Sequence, residues 1–314
     1  MLKLAVVGAG HMGCLHAEKV VALQQQGVPV ALEGICDIDP DRAHSAAQRF
    51  GTRGCTQGQE LFRDADAAII AVPTVEHFRM VLLALEAGCD VLVEKPIAAD
   101  LEEAERLIKR ASELGLILQV GHLEWFNAGF HAVASRIHDP RLVEVVRVGP
   151  FGGRATDTDV VRDLMIHDLD LVQQLTGCEP EKIEATGVAV LTEWIDIANA
   201  RLVFPGGCAA NLTVSRVSRT SKRKIRIFQS DSSFEVDLRS QTASISRVVS
   251  REGAGFHTQV IDAPRRDALV EQLRSFLACI ESRESPQVGG TDGMGALRTA
   301  LRVLDAMAFV ERHE

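Results

Sequence analysis

A lysine, an aspartate and a histidine in this 314-residue sequence have the types and surroundings to move a proton and steady the charge left behind. In Val160-Val161-Arg162-Asp163-Leu164-Met165-Ile166-His167-Asp168, Asp163 and His167 stand at i and i+4 and share a helix face, so the carboxylate can orient and charge-stabilise the imidazole. That is a general base with its orienter. The same spacing also suits a polar helix face or a cap. Lys95 follows an apolar strand and is held by Pro96, where it could polarise a hydroxyl or carbonyl oxygen. Alone, it reads as a surface lysine. Asp168 and Asp170 read as solvated, and His44, His138, His257 and His313 as surface residues outside any constellation.

Such groups need a frame and a reaction partner, and residues 1–13 indicate both. Leu2, Leu4, Ala5, Val6 and Val7 form a nearly unbroken apolar run, the composition of a central parallel strand. Gly8, Gly10 and Gly13 then make G-x-G-x-x-G, with His11 and Met12 inside it. The first glycine allows the tight turn, the second a close approach of backbone to a pyrophosphate, and the third helix-on-strand packing. The free N–H groups of the following helix, predicted from His11 to about Gln26, face that phosphate. A second apolar segment, Val28 to Cys36, ends in Asp37, an acid placed to hold both ribose hydroxyls of NAD and to repel the 2'-phosphate of NADP. A methyltransferase is the rival, but its glycines run G-x-G-x-G and Met12 interrupts that spacing.

The elements continue in the same rhythm. Asp39-Pro40-Asp41 predicts a helix start and Gly51 its stop; Ala67 to Val72 is a strand, Val75 to Ala87 a helix, Asp90 to Glu94 a strand. Asp100 and Glu103 form a capping box for a helix over 101–114, and Leu116 to Val120 is the last strand. Alternation of this kind implies a doubly wound parallel sheet with ligands at the carboxyl ends of its strands. Three strand-end loops are therefore expected to line the cofactor, through Val72, Pro73, Thr74 and His77, through Glu94 and Lys95, and through His122.

After Gly121 the pattern changes. Helices are predicted around 127–138 and 163–176, and strands near 141–148, 182–191, 196–204, 207–217, 223–229 and 233–238, joined mostly by short connections that suit a mainly antiparallel sheet. The tail returns to helix over Asp267 to Ser282 and Gly290 to His313, the latter with Asp292 as cap. The expectation is α/β: a Rossmann domain over residues 1–121 and a substrate-binding and oligomerisation domain over 122–314 with an open sheet, its last helix packing back on the first domain.

Composition narrows the classes. A net charge of -9 and a pI near 5.6 argue against a nucleic-acid or membrane binder. Seven cysteines with no C-x-x-C look like reduced cytosolic thiols, with no metal site and no disulfide frame. The sequence runs straight into its first strand with no targeting segment, so a cytoplasmic location is expected. There is no tyrosine, which excludes any mechanism with a tyrosine acid–base. One basic run, Arg216, Arg219, Lys222, Arg223, Lys224 and Arg226, could meet a diphosphate; a solvated hairpin or a charge-protected edge strand is the blander reading.

The order and distances of Gly8-x-Gly10-x-x-Gly13, Glu94-Lys95-Pro96 and Asp163-x-x-x-His167 resemble the glucose-fructose oxidoreductase / inositol dehydrogenase (Gfo/Idh/MocA) family over nearly the whole chain. The resemblance implies an NAD-dependent dehydrogenase acting on a secondary hydroxyl of a pyranose or cyclitol. In it His167 would take the hydroxyl proton, Asp163 would assist, and Lys95 would bridge substrate and nicotinamide. It also implies a homo-oligomer, a dimer or tetramer, through the open sheet. Gly121-His122-Leu123-Glu124-Trp125-Phe126-Asn127 and the stretch from Asp159 to Asp168 look most like the branch that oxidises the 3-hydroxyl of UDP-N-acetylglucosamine, whose product a partner aminotransferase can use. Trp125 and Ala128 depart from that pattern, where relatives often carry arginine and proline. A non-catalytic NAD-binding ligand sensor is the competing class; retention of Lys95, Asp163 and His167 together argues against it.

Overall fold

The computed structural model describes residues 1–153, 158–250 and 255–307. The predicted end of the last helix and His313 lie outside the described residues. The chain divides into two compact units, Met1–His122 with Leu269–Met294, and Leu123–Ala268 with Gly295 onward.

The first unit alternates strand and helix: β1 (Leu2–Val7), α1 (His11–Gln25), β2 (Val30–Cys36), α2 (Pro40–Phe50), β3 (Arg53–Cys55), α3 (Gln59–Phe62), β4 (Ala67–Ile70), a 3-10 turn (Thr74–Glu76) leading into α4 (His77–Glu86), β5 (Asp90–Val93), α5 (Leu101–Leu114) and β6 (Leu118–Val120). All pairings in this sheet are parallel, in the order 3-2-1-4-5-6, the doubly wound arrangement expected from the sequence. Its helices start and stop as their caps dictate. The Asp39 carboxylate accepts from the backbone N–H of Asp41 at 3.0 Å, Pro40 opens α2, and Gly51 ends it in the left-handed region. In α5, Asp100 accepts from the Glu103 N–H at 2.9 Å while Glu103 reaches back to the Ala99 N–H at 3.2 Å.

The second unit holds a 3-10 turn (Leu123–Phe126), α6 (Ala128–Ala134), β7 (Leu142–Val148), a π-helical turn (Val161–Met165) continuing as α7 (Ile166–Thr176), β8 (Lys182–Val188), β9 (Ile197–Val203), β10 (Ala209–Ser215), β11 (Lys222–Phe228), β12 (Ser232–Asp237), β13 (Thr242–Ser250) and β14 (Gly255–Ile261). These strands form an eight-stranded sheet in the order 14-13-12-11-7-10-9-8, antiparallel except for the β7–β10 pair. Period-2 alternation puts Val143, Val145, Ala198, Ala200, Leu212, Ile225 and Ile227 on one face, where they pack in one core with Met165, Leu169 and Val172 of the π turn and α7. The other face carries a mixture of polar alternates such as Glu144, Asn199 and Lys224 with apolar ones such as Leu142 and Val146.

Two helices close the described chain, α8 (Ala268–Ser282) and α9 (Gly290–Met307). Leu273, Phe276, Cys279 and Ile280 of α8 join the core of the first unit beside Leu4, Val6, Ala17 and Val20. Asp292 is not the N-cap of α9. It sits in the first turn and accepts from the Gly289 N–H at 2.8 Å, the return half of a capping box. The hairpin β13–β14 has no counterpart in the sequence reading, because its alternate positions are small and polar, as in Thr242-Ala243-Ser244-Ile245-Ser246, and give little hydrophobic contrast.

Candidate active site

The glycine turn is made as its spacing requires. Gly8 has φ +102, and a Cβ there or on Gly13 would run into the carbonyl oxygens of Ala71 and Gly8 respectively. Gly10 faces open space, with no heavy atom within 4 Å of a Cβ built on it. It precedes α1 with no side-chain cap and no acid in the first turn, so the leading N–H groups of α1 are left for an anion. Asp37, 8% exposed, lies just beyond β2 and accepts from the Ala9 N–H at 2.8 Å and from the Asp39 N–H at 3.0 Å. Asp37 and the glycine turn are thereby fixed to each other. This cradle fits a dinucleotide: Gly8, Gly10, His11, Met12 and Gly13 with the α1 N-terminus would hold the pyrophosphate, and Asp37 a ribose.

Beside it, the loops after β4 and β5 are tied from behind. His77 is 1% exposed, and its ring lies between the carbonyl oxygens of Pro96, 2.7 Å from Nδ1, and Val72, 2.9 Å from Nε2, donating to one of them as a neutral imidazole. It braces the loops that carry Val72, Pro73 and Thr74 and Lys95. Burial moves its pKa down against the pull of those two carbonyls. Glu94 meets Nε2 of the buried His16 at 2.8 Å. Burial acts to raise its pKa, but the His16 hydrogen bond and the nearby Lys95 prevail and hold the carboxyl below the usual range. His122 is sealed, and burial together with the Lys95 charge pushes its pKa down to about 3, so it is neutral at working pH. Lys95 itself is half-buried at the end of β5.

In the second unit Asp163 and His167, both half-buried, straddle the junction of the π turn with α7. A π turn inserted in a helix is a feature that recurs at functional sites. Its start is capped by Asp159, which accepts from the N–H groups of Val161 and Arg162, both at 2.9 Å. Its exit is pinned by charge. Arg147 of β7, 3% exposed, grips Asp168 through Nε at 3.0 Å and Nη2 at 2.6 Å, and donates from Nη1 to Glu124 at 2.6 Å.

Three expectations are corrected here. Asp168 and Asp170 are not solvated: they are 1% and 2% exposed, because Arg147 takes the first and the Gln174 amide, at 3.1 Å, the second. Burial raises the Asp168 pKa against the opposing pull of Arg147. The basic run is no edge strand, since β11 lies between β7 and β12. Nor is all of it solvated, for Arg216 is buried against Asp196 at 2.6 Å.

Sequence reasoning missed Arg147, the Asp159 cap and the His16–Glu94 pair. One signal was present. In Leu142-Val143-Glu144-Val145-Val146-Arg147-Val148 the alternation puts Arg147 in line with Val143 and Val145, a cation at a core position that demands a buried acid. His16 carried no comparable mark.

A parallel sheet in this order with a phosphate-type glycine turn and an acid after its second strand fits the class of dinucleotide-binding domains. Family comparison agrees on both halves: residues 2–122 match the oxidoreductase family with an NAD-binding Rossmann fold, and residues 130–236 match the GFO/IDH/MocA C-terminal domain. The chain belongs to the Gfo/Idh/MocA family, and NAD is the cofactor of its Rossmann domain. It is 36% identical to UDP-N-acetylglucosamine 3-dehydrogenase of Acidithiobacillus ferrooxidans, over 99% of each chain, and a solved structure of that enzyme superposes with a TM-score of 0.92 at 35% identity, again covering 99% of each. Myo-inositol 2-dehydrogenase of Thermotoga maritima is 25% identical over 94% of this chain and 93% of its own. Levoglucosan dehydrogenase, solved with NADH and levoglucosan, shares the fold with a TM-score of 0.87 at 17% identity, covering 98% of this chain and 97% of its own.

Proposed function

We propose that this oxidoreductase oxidises the 3-hydroxyl of UDP-N-acetylglucosamine. The observation that carries the reading is the 36% identity to an enzyme of that name, extending over 99% of both chains. NAD, when bound, supplies the hydride acceptor. His167 takes the proton from the reacting hydroxyl, and Asp163 steadies the imidazolium that results. Lys95 polarises the hydroxyl oxygen as negative charge develops on it. The buried salt link at Asp168 holds the turn that presents His167, and His77 braces the loop that presents Lys95.

The keto sugar nucleotide formed has the carbonyl that an aminotransferase consumes, and such an enzyme is the proposed downstream partner. Copies of the chain are proposed to associate through the face of the eight-stranded sheet turned away from the core, as a dimer or tetramer. Among the described residues no helix is long and apolar enough to cross a membrane, and a cytoplasmic location completes the proposal.

The test is NADH formation at 340 nm with UDP-N-acetylglucosamine, myo-inositol and free hexoses side by side. Turnover is expected with the sugar nucleotide. Turnover with myo-inositol alone would replace the substrate assignment with a cyclitol, in line with the inositol dehydrogenase relatives.

A further inference from the structure

Of the six cations in the basic run, Arg216, Lys224 and Arg226 are engaged, while among the described residues Arg219, Lys222 and Arg223 make no side-chain hydrogen bond or ion pair; Arg223 is the one of these three on the core face of β11. Arg216 is committed to Asp196, to the Thr158 carbonyl at 3.0 Å and to the Thr192 hydroxyl at 2.8 Å. Lys224 donates to Glu235 at 2.7 Å and Arg226 to Glu144 at 3.0 Å. Side chains alternate along β11, so Lys222, Lys224 and Arg226 share the face away from the core, while Arg223 shares the core face with Ile225 and Ile227. Arg219 sits in the turn before β11.

Arg223 is exposed although it lies on the core face, because it stands at the end of the strand beyond the apolar packing. Directly across the ladder is Arg147, the arginine that grips Asp168. Two like charges directly opposite one another weaken a strand pair. Arg147 is compensated by Asp168 and Glu124; among the described residues the Arg223 guanidinium makes no hydrogen bond or ion pair, and the charge it acts on is Asp168, whose ionised form it favours. Asp168 is the residue next to His167. An arginine is thus held out toward solvent beside the helix that carries the proposed base, at a position where it weakens its own strand pairing.

We infer that Arg223 binds the anionic part of the substrate, a diphosphate, and so sets the preference for a sugar nucleotide over an uncharged sugar or cyclitol. A guanidinium matches phosphate oxygens with two parallel N–H donors, and inositols and free hexoses offer it nothing comparable. The inference rests on the sugar-nucleotide reading above and deepens it, naming which cation of the run recognises the substrate.

The test compares wild type, Arg223→Gln, Arg223→Lys and Arg226→Gln by steady-state kinetics with UDP-N-acetylglucosamine and by calorimetry with UDP. In Arg223→Gln, KM for the sugar nucleotide and Kd for UDP rise about 10- to 100-fold, with the effect concentrated in KM rather than kcat, while KM for NAD and the melting temperature hold. Arg223→Lys restores part of the loss, and Arg226→Gln behaves as wild type. Equal KM and Kd in wild type and Arg223→Gln would overturn the inference while leaving the substrate reading in place. Loss of NAD binding and melting temperature together with KM would assign Arg223 to folding and overturn it also. Wild-type protein that neither oxidises UDP-N-acetylglucosamine nor binds UDP would remove the substrate reading itself, and this inference with it.

Discussion

The two units prepare their chemistry with different materials. In the first, the cofactor cradle is backbone: three glycines, the bare N-terminus of α1 and one aspartate held by the N–H groups of Ala9 and Asp39. In the second, Asp163 stands on a π turn and His167 in the first turn of the α7 helix that continues it, a segment fixed by side chains, Asp159 at its start and the Arg147–Asp168–Glu124 cluster beyond the junction. Backbone amides need no partner to keep them in the right charge state. A buried ion cluster does, and it holds its geometry only while every member is present. The cradle should therefore tolerate change in the second unit, whereas the base should be sensitive both to its own replacement and to replacement of residues that never touch substrate.

The largest effect expected is on turnover. His167→Ala and Lys95→Ala should each lower kcat by about 10²- to 10⁴-fold, the usual worth of a positioned acid–base group. NAD affinity, read from quenching of intrinsic fluorescence or by calorimetry, should stay near the wild-type value in His167→Ala, since the cradle lies in the first unit. An unchanged kcat would remove the assigned roles; a lost NAD affinity would break the division between cradle and base. Next is stability. Arg147→Met leaves Asp168 and Glu124 buried without their cation and should cost about 3–5 kcal/mol in urea unfolding. The deficit should shrink as the pH is lowered and a proton takes the place of the guanidinium at Asp168, whose pKa burial already raises. A pH-independent deficit would mean that Arg147 matters for its packing and not its charge.

The same contrast governs what could be read from the sequence. Except for the short edge strand β3, which is largely exposed and only three residues long, the parallel sheet and the glycine turn were legible because their determinants are local: an apolar run, three glycines, a proline after a cap and glycines at helix ends. Asp37 was legible for the same reason, standing where the second strand stops. The π turn was not, because Asp163-x-x-x-His167 reads as ordinary α-helix until the chain is folded. Asp168 looked solvated because its partner Arg147 lies far from it along the sequence, and only the strand alternation of β7 hints that Arg147 points inward. The hairpin β13–β14 was missed for want of hydrophobic contrast. Asp168 was hidden by the separation of its partner, the π turn and the hairpin by weak or ambiguous local patterns.

Two smaller effects sharpen the description of the cradle. Asp37→Ala should erode the preference for NAD over NADP by about 10- to 100-fold in relative kcat/KM, the worth of charge-assisted hydrogen bonds to the ribose. Equal preference in wild type and variant would show that the selectivity lies elsewhere in the loop.

The last concerns His122, whose burial beside Lys95 has no counterpart among the exposed histidines. Burial pushes its pKa down to about 3 in the folded chain, against 6.5 for an exposed imidazole. Between those values the unfolded chain binds a proton that the folded chain refuses, so stability rises with pH across the window and falls on acidification. By pH 5 the loss from this one group should approach about 2 kcal/mol, at about 1.4 kcal/mol for each pH unit below 6.5. His122→Leu removes the titrating group while keeping an apolar body in the cavity. Its urea midpoint should therefore fall less steeply than that of wild type between pH 7 and pH 5, even if it starts lower. Parallel slopes would mean that His122 takes up its proton in the folded state, and that the loop after β6 is more open to water than the structure shows.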